Sequence, residues 1–295
     1  MSSSVIAVLI DAFSVGGLYA LTALGIGLIF SVMRLANFAH AEFVTMPAYA
    51  LFVLSGHPVI MAIAFSVLVA VVLALMTERV AFRPLRGIDP ATMLIASFAV
   101  SMFLQRLLVF AFDSRIKPVD PLAFLDGSLT LLGADLNLLK LATVMTCLVL
   151  LVALTVFLKF TRFGLEMRAA AEDFTMSRLL GVRANRVIAM AFVLSALLAA
   201  VVALLFSAQT GFVHPRFGLQ IVIIAFVATV IGGLGNLVGA AVGGFLVGVV
   251  STLLQTFLPP DLRPFREAFV FFIVILVLLF RPQGLFPARG LKERI

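Results

Sequence analysis

The sequence predicts an all-α bundle of membrane-spanning helices, and three observations carry that prediction. Hydrophobic residues make up 63% of the chain and charged residues only 12%, with a mean hydropathy of +1.23. A soluble domain of 295 residues cannot cover its surface with so few polar side chains. Several apolar stretches run unbroken for about the 20 residues that a helix needs to cross a bilayer. They do not alternate as the strands of a barrel would. Finally, Lys and Arg collect in every second connection, as the positive-inside rule requires of cytoplasmic loops.

The first span is read over Val5–Phe30, where Gly16, Gly17, Gly25 and Gly27 favour close helix packing. The start, Met1-Ser2-Ser3-Ser4, lacks a basic region, so no cleavable signal peptide is expected. Phe43–Leu54 follows a turn carrying Arg34 and is short for a crossing, which leaves a full span and a re-entrant piece both open. Val59–Met76 and Ala91–Phe112 flank a basic loop with Arg79, Arg83 and Arg86. Residues 113–138 form the longest connection on the opposite side. Within it Ser128–Leu138 reads as a small hairpin turning at Gly133-Ala134, either a structural cap or a docking surface for an extracytoplasmic binding protein.

Leu141–Leu158 returns the chain to a second long basic loop, 159–186, with Lys159, Arg162, Arg168, Arg178, Arg183 and Arg186. Val187–Ala208 comes next. Leu219–Leu258 has room for two spans that turn at Gly232-Gly233-Leu234-Gly235-Asn236. The last span is centred on Phe269–Phe280, and Arg281, Arg289, Lys292 and Arg294 close the chain. On the opposite side Arg115, Lys117, Lys140, Arg216, Arg263 and Arg266 are diluted by Asp113, Asp120, Asp126, Asp135, Asp261 and Glu267. Residues 1–295 therefore read as one transmembrane domain of about eight to nine spans, with an external N-terminus and a cytoplasmic C-terminus. The formal charge of +7 follows from this loop bias and does not call for nucleic acid.

Composition also narrows the chemistry. Cys147 is the only cysteine, so no disulfide forms within the chain. His40, His57 and His214 are far apart and show no metal-ligand spacing. Three ionisable residues are expected at membrane depth: Asp11, Glu42 and Arg106. Each is a functional candidate by default, although Asp11 and Arg106 lie near outer ends and can snorkel. Glu42 belongs to a polar knot, Asn37-Phe38-Ala39-His40-Ala41-Glu42, between two apolar segments. The knot reads equally as a helix break placing Asn37, His40 and Glu42 along a cavity and as a hydrated cytoplasmic turn. Gly235, Gly239 and Gly243 recur every fourth residue after Gly232 and Gly233. That ridge packs helices within the subunit, or else lines a pathway or subunit contact.

The loop at 159–186 is rich in helix formers. Asp173 or Thr175 can cap a short second helix and Gly181 can end it in the left-handed conformation. Phe174, Met176, Leu179 and Leu180 would then be apolar side chains rimmed by charge on an exposed element. A partner-docking surface has that character, and so has a loop folded back on its own helix ends.

Arg168-Ala169-Ala170-Ala171-Glu172-Asp173, followed by Leu179-Leu180-Gly181, resembles the coupling loop of the branched-chain amino-acid ABC permeases. The knot at 37–42 is similar to that family's Asn-Phe-Ala-His-Gly-Glu motif, with Ala41 in place of the usual glycine. Ile231–Ala240 resembles its glycine-rich late-span motif, and Gly211, Pro215 and Gly218 fit the external turn before it. The resemblance covers residues 12–285. It implies a permease subunit of an importer in the bacterial inner membrane, with Arg168–Phe174 and Leu179–Gly181 as the ATPase-coupling element. It also implies separate cytoplasmic ATPase subunits, a second related permease subunit and an extracytoplasmic binding protein. No Gly-x-x-x-x-Gly-Lys-[Ser/Thr] loop occurs, so ATP and Mg are expected in the partners and no cofactor in this chain. Urea, short amides or aromatic acids are alternative cargoes. An ion-coupled carrier would want midplane carboxylates and an internal repeat, and a membrane enzyme would want a catalytic cluster. Only Glu42 comes near the first requirement, no persuasive repeat is seen, and no catalytic cluster is present.

Overall fold

A computed structural model describes residues 2–86, 88–131 and 134–286. Eleven α-helices account for most of these residues: α1 (Ser2–Met33), α2 (His40–Val53), α3 (Val59–Met76), α4 (Pro90–Phe112), α5 (Leu138–Phe160), α6 (Arg162–Glu172), α7 (Phe174–Leu179), α8 (Ala184–Thr210), α9 (Phe217–Gly232), α10 (Leu237–Phe257) and α11 (Arg266–Phe280). Six are long and apolar enough to cross a membrane unaided: α1, α3 with its extension to Phe82, α4, α5, α8 and α10. At about 1.5 Å per residue, α2 with 14 residues, α11 with 15 and α9 with 16 fall short of the hydrocarbon thickness.

The helices sort into an inner and an outer set. α1 and α8 form the centre, with α2, α9 and α10 laid around them. The outer helices bury only one stripe each. On α3 that stripe is Ala62, Ser66, Ala70 and Ala74, while Ile60, Leu68 and Val72 are exposed. This reverses the soluble pattern for a physical reason. Lipid tails solvate large aliphatic side chains as well as protein does, so helices associate through small residues that let backbones approach.

α1 and α10 run antiparallel in close contact. A Cβ on Gly244 would stand 2.6 Å from Ala20 Cα and from the Tyr19 carbonyl oxygen, and Gly248 faces the backbone of Gly16. Only a residue without a side chain fits there. Gly232 of α9 meets Gly239 of α10 in the same manner, and Gly243 meets Ala228 and Gly232. The glycine ridge thus lies between helices of one subunit.

α3 does not stop at Met76. A π-helical turn over Thr77–Phe82 carries it on, with Arg83 N bonded to the Glu78 carbonyl at 2.8 Å. The extra residue in the turn swings Phe82 into the core, its ring centroid 5.5 Å from that of Phe192 on α8.

Connections gather at two ends of the bundle. At one end β1 (Lys117–Pro118) pairs antiparallel with β4 (Phe212–Val213), and Lys140 Nζ meets Asp11 Oδ1 at 2.6 Å. The expected hairpin forms there as β2 (Ser128–Leu131) against β3 (Ala134–Asn137), with Leu131 opposite Ala134. The Gly133 half of its turn lies outside the described residues. At the other end lie α6 and α7, the 83–86 segment, the 233–236 turn and residues 281–286. Leu285 N and Phe286 N donate to the carbonyls of Ile231 and Gly232. Arg289, Lys292 and Arg294 lie outside the described residues.

Candidate functional site

Between α1 and α2 the chain is not helical. Arg34 takes a left-handed backbone with φ 54°, and residues 35–39 approach the first turn of α2 through bends and turns. The Asn37 side-chain oxygen accepts from Ala39 N at 3.0 Å. Its carbonyl accepts from His40 N at 3.2 Å, while Ser97 Oγ on α4 accepts from Phe38 N at 3.3 Å. These contacts satisfy N–H groups that a helix start leaves unpaired.

The knot is buried and is not a hydrated turn. His40 and Glu42 have no solvent exposure. Glu42 Oε1 accepts from Ser101 Oγ at 3.0 Å and from Gln105 Nε2 at 2.9 Å, both on α4. Ser195 Oγ on α8 donates to the Gly25 carbonyl at 2.8 Å and lies 3.2 Å from His40 Nδ1. A hydroxyl has one proton, so Ser195 can only accept from the ring. The proton therefore sits on Nδ1, and Nε2 keeps a bare lone pair. Three polar atoms of the knot remain buried without a partner among the described residues: Asn37 Nδ2, His40 Nε2 and Glu42 Oε2. Asn37 and Phe38 line a narrow cavity of about 60 Å³ with Ile26, Leu219, Val222 and Phe226. Phe38 stacks on Phe98 at 4.1 Å and leans on Phe226 at 5.8 Å. Tyr49 Oη, Arg86 Nε and Arg266 Nε are unpartnered too, but Asn37 Nδ2 belongs to a residue that lines the cavity, and there a passing polar group or water gains most.

The other candidates resolve unequally. Asp11 is held by Lys140 and Arg106 is exposed on α4. Glu78 went unnoticed as a membrane-depth acid because it stands among charged neighbours at a helix end. It is buried, paired with Arg86, and Arg86 Nη1 also donates to Asn185 Oδ1 at 2.6 Å near the start of α8. Burial lowers the pKa of Arg86, and the Glu78 carboxylate opposes that shift.

The long basic loop folds as two short helices. Thr161 Oγ1 caps α6 by accepting from Gly164 N at 3.0 Å, and Asp173 Oδ1 caps α7 by accepting from Met176 N at 2.9 Å. Gly181 ends α7 at φ 92°. Gly164, Met167 and Ala170 form the buried face of α6. Ala169 and Ala171 are half-buried and Phe174 packs against the core. Arg168, Glu172 and Asp173 point outward, as do Met176 (55% exposed), Leu179 (76%) and Leu180 (82%).

A family model described as "Branched-chain amino acid transport system / permease component" matches residues 8–280. The chain is 34% identical to the high-affinity branched-chain amino acid transport system permease protein BraD of Pseudomonas aeruginosa, over 94% of each chain. It is 30% identical to the corresponding LivH of Salmonella typhimurium, over 93% of each. Among solved structures, PsaBC from Streptococcus pneumoniae in complex with Fab matches with a TM-score of 0.50 at 13% identity, covering 97% of this chain and 94% of that one. That likeness concerns the fold alone.

Proposed function

This chain belongs to the permease family of branched-chain amino-acid transport systems, and from that premise we propose that it is one half of an importer pore in the bacterial inner membrane, moving branched-chain amino acids at the expense of ATP. The chain is a permease subunit and not an enzyme. Cytoplasmic ATPase subunits hold ATP and Mg, a second related permease completes the pore, and an extracytoplasmic binding protein delivers the substrate.

One observation carries the ATPase half of this reading. Two well-capped helices, α6 and α7, present Met176, Leu179 and Leu180 to water beside Arg178 and Arg183. Exposed leucines rimmed by arginine at the end of a membrane bundle fit a protein partner, not lipid. The same end carries Arg34, Arg79, Arg83, Arg162, Arg168 and Arg186, which supports its cytoplasmic placement. Nine crossings then follow. α2 and the bends and turns at 35–39 share one, the turns adding length at the start of the 14-residue helix. The N-terminus is outside and the C-terminus inside. The polar knot borders the substrate path, and its unpartnered atoms support that assignment.

Affinity purification of the chain from mild detergent tests the reading. Recovery of ATPase subunits and a second permease, with leucine import that follows ATP in proteoliposomes, is the expected result. A solitary chain that imports leucine on an ion gradient would overturn it.

A further inference from the structure

Arg34 joins the two regions just described. It is the first residue after α1 and opens the non-helical run that leads to Asn37 and α2. Its Nη2 donates to the Ala171 carbonyl at 2.5 Å, across 137 residues of sequence. Ala171 is next to last in α6, so its carbonyl has no partner within the helix. A cation at that end also meets the negative pole of the helix dipole.

The backbone of Arg34 makes the contact more telling. A left-handed φ of 54° is unfavourable for a residue with a Cβ, and glycine would adopt it without strain. The arginine is therefore tolerated at a position where its backbone is a liability, and among the described residues its side chain has one hydrogen-bond partner, the last turn of α6. Beyond it the carbonyls of Asn37, Phe38 and Ala39 accept from the first turn of α2, whereas Leu35 and Ala36 join no backbone hydrogen bond among the described residues. This segment is the place where a change in φ and ψ is absorbed most easily, as at hinges generally.

We propose that Arg34 is the transmission residue of this permease, a positioning residue that ties α6 to the 35–39 hinge. When a docked ATPase displaces α6 and α7, Arg34 carries the displacement into the hinge and resets Asn37 at the cavity together with His40 and Glu42 in the first turn of α2. The proposal rests on the importer reading above.

Arg34→Gly tests it, because glycine keeps the left-handed backbone while removing the guanidinium. The complex with ATPases, second permease and binding protein is reconstituted in proteoliposomes, and radiolabelled leucine import and ATP hydrolysis are measured on the same vesicles. In R34G the leucine moved per ATP falls by at least about fivefold, the low end of typical site-to-site coupling. ATP hydrolysis and ATPase recovery stay close to wild type. Arg34→Lys, which keeps a cation within reach of the carbonyl, restores part of the coupling. An unchanged ratio in R34G overturns the proposal. Loss of the ATPase from the purified R34G complex also overturns it, since Arg34 would then serve docking instead of transmission. A wild-type complex that neither hydrolyses ATP nor imports leucine removes the importer reading itself, and the wild-type control separates that outcome from the others.

Discussion

Truncating Leu180 to alanine isolates the contribution of the α7 tip to ATPase docking. Leu180 is 82% exposed and follows α7 directly, so in the free subunit it shields little and its loss leaves the fold unchanged. In a docked complex the side chain would be enclosed. Full burial of a leucine is worth about 1.5–3 kcal/mol. Taking about 2 kcal/mol, and 1.4 kcal/mol for each tenfold, L180A weakens ATPase binding by about thirtyfold. Leu180→Asp loses more, because a carboxylate would then be desolvated at the contact without a partner. The assay titrates a fluorescent ATPase subunit onto the purified permease in detergent, with melting temperature as the control for folding. An L180A affinity within about twofold of wild type, at unchanged melting temperature, would refute the assignment of this surface to the ATPase.

Gly239→Leu drives a side chain into the Gly232 backbone. It should separate α9 from α10 and cost upwards of about 1–3 kcal/mol, visible as a lower melting temperature and lost complex yield. Normal yield would mean that the ridge has room to spare. Ser195→Ala removes the donor to the Gly25 carbonyl and leaves the His40 Nδ1 proton buried without a partner. The expected loss is about 1–3 kcal/mol, and an unshifted melting curve would count against the hydrogen-bond assignment. Glu42→Gln keeps the volume and an oxygen for Ser101 and Gln105 while removing the carboxylate. If the knot borders the path, transport falls with folding intact, whereas wild-type uptake would reduce Glu42 to a structural peg.

Much of the fold was legible because lipid imposes a one-dimensional rule. Each span must be apolar for its whole length and each connection must be polar, so the helices from Val59 onward emerge with boundaries close to those observed. Caps were legible for the same local reason. Thr175 was an open alternative to Asp173 for α7, and the structure decides for Asp173, whose oxygen reaches Met176 N. Gly181 was a candidate terminator because few other residues accept its backbone angle.

What the sequence by itself determined is a multi-span helical permease with a basic end, a capped two-helix loop, a polar knot and a glycine ridge. These depend on composition and on contacts within a few residues. Only the tertiary structure decided that the knot is buried, that Glu42 leans on α4 and His40 on α8, and that the ridge is filled by α1 and α9. It alone revealed the Glu78–Arg86 pair and the bond from Arg34 to Ala171. The two partners of each such contact stand far apart along the chain. Nothing in local pattern says which helix faces which, because in a bilayer the outward and inward faces are apolar alike.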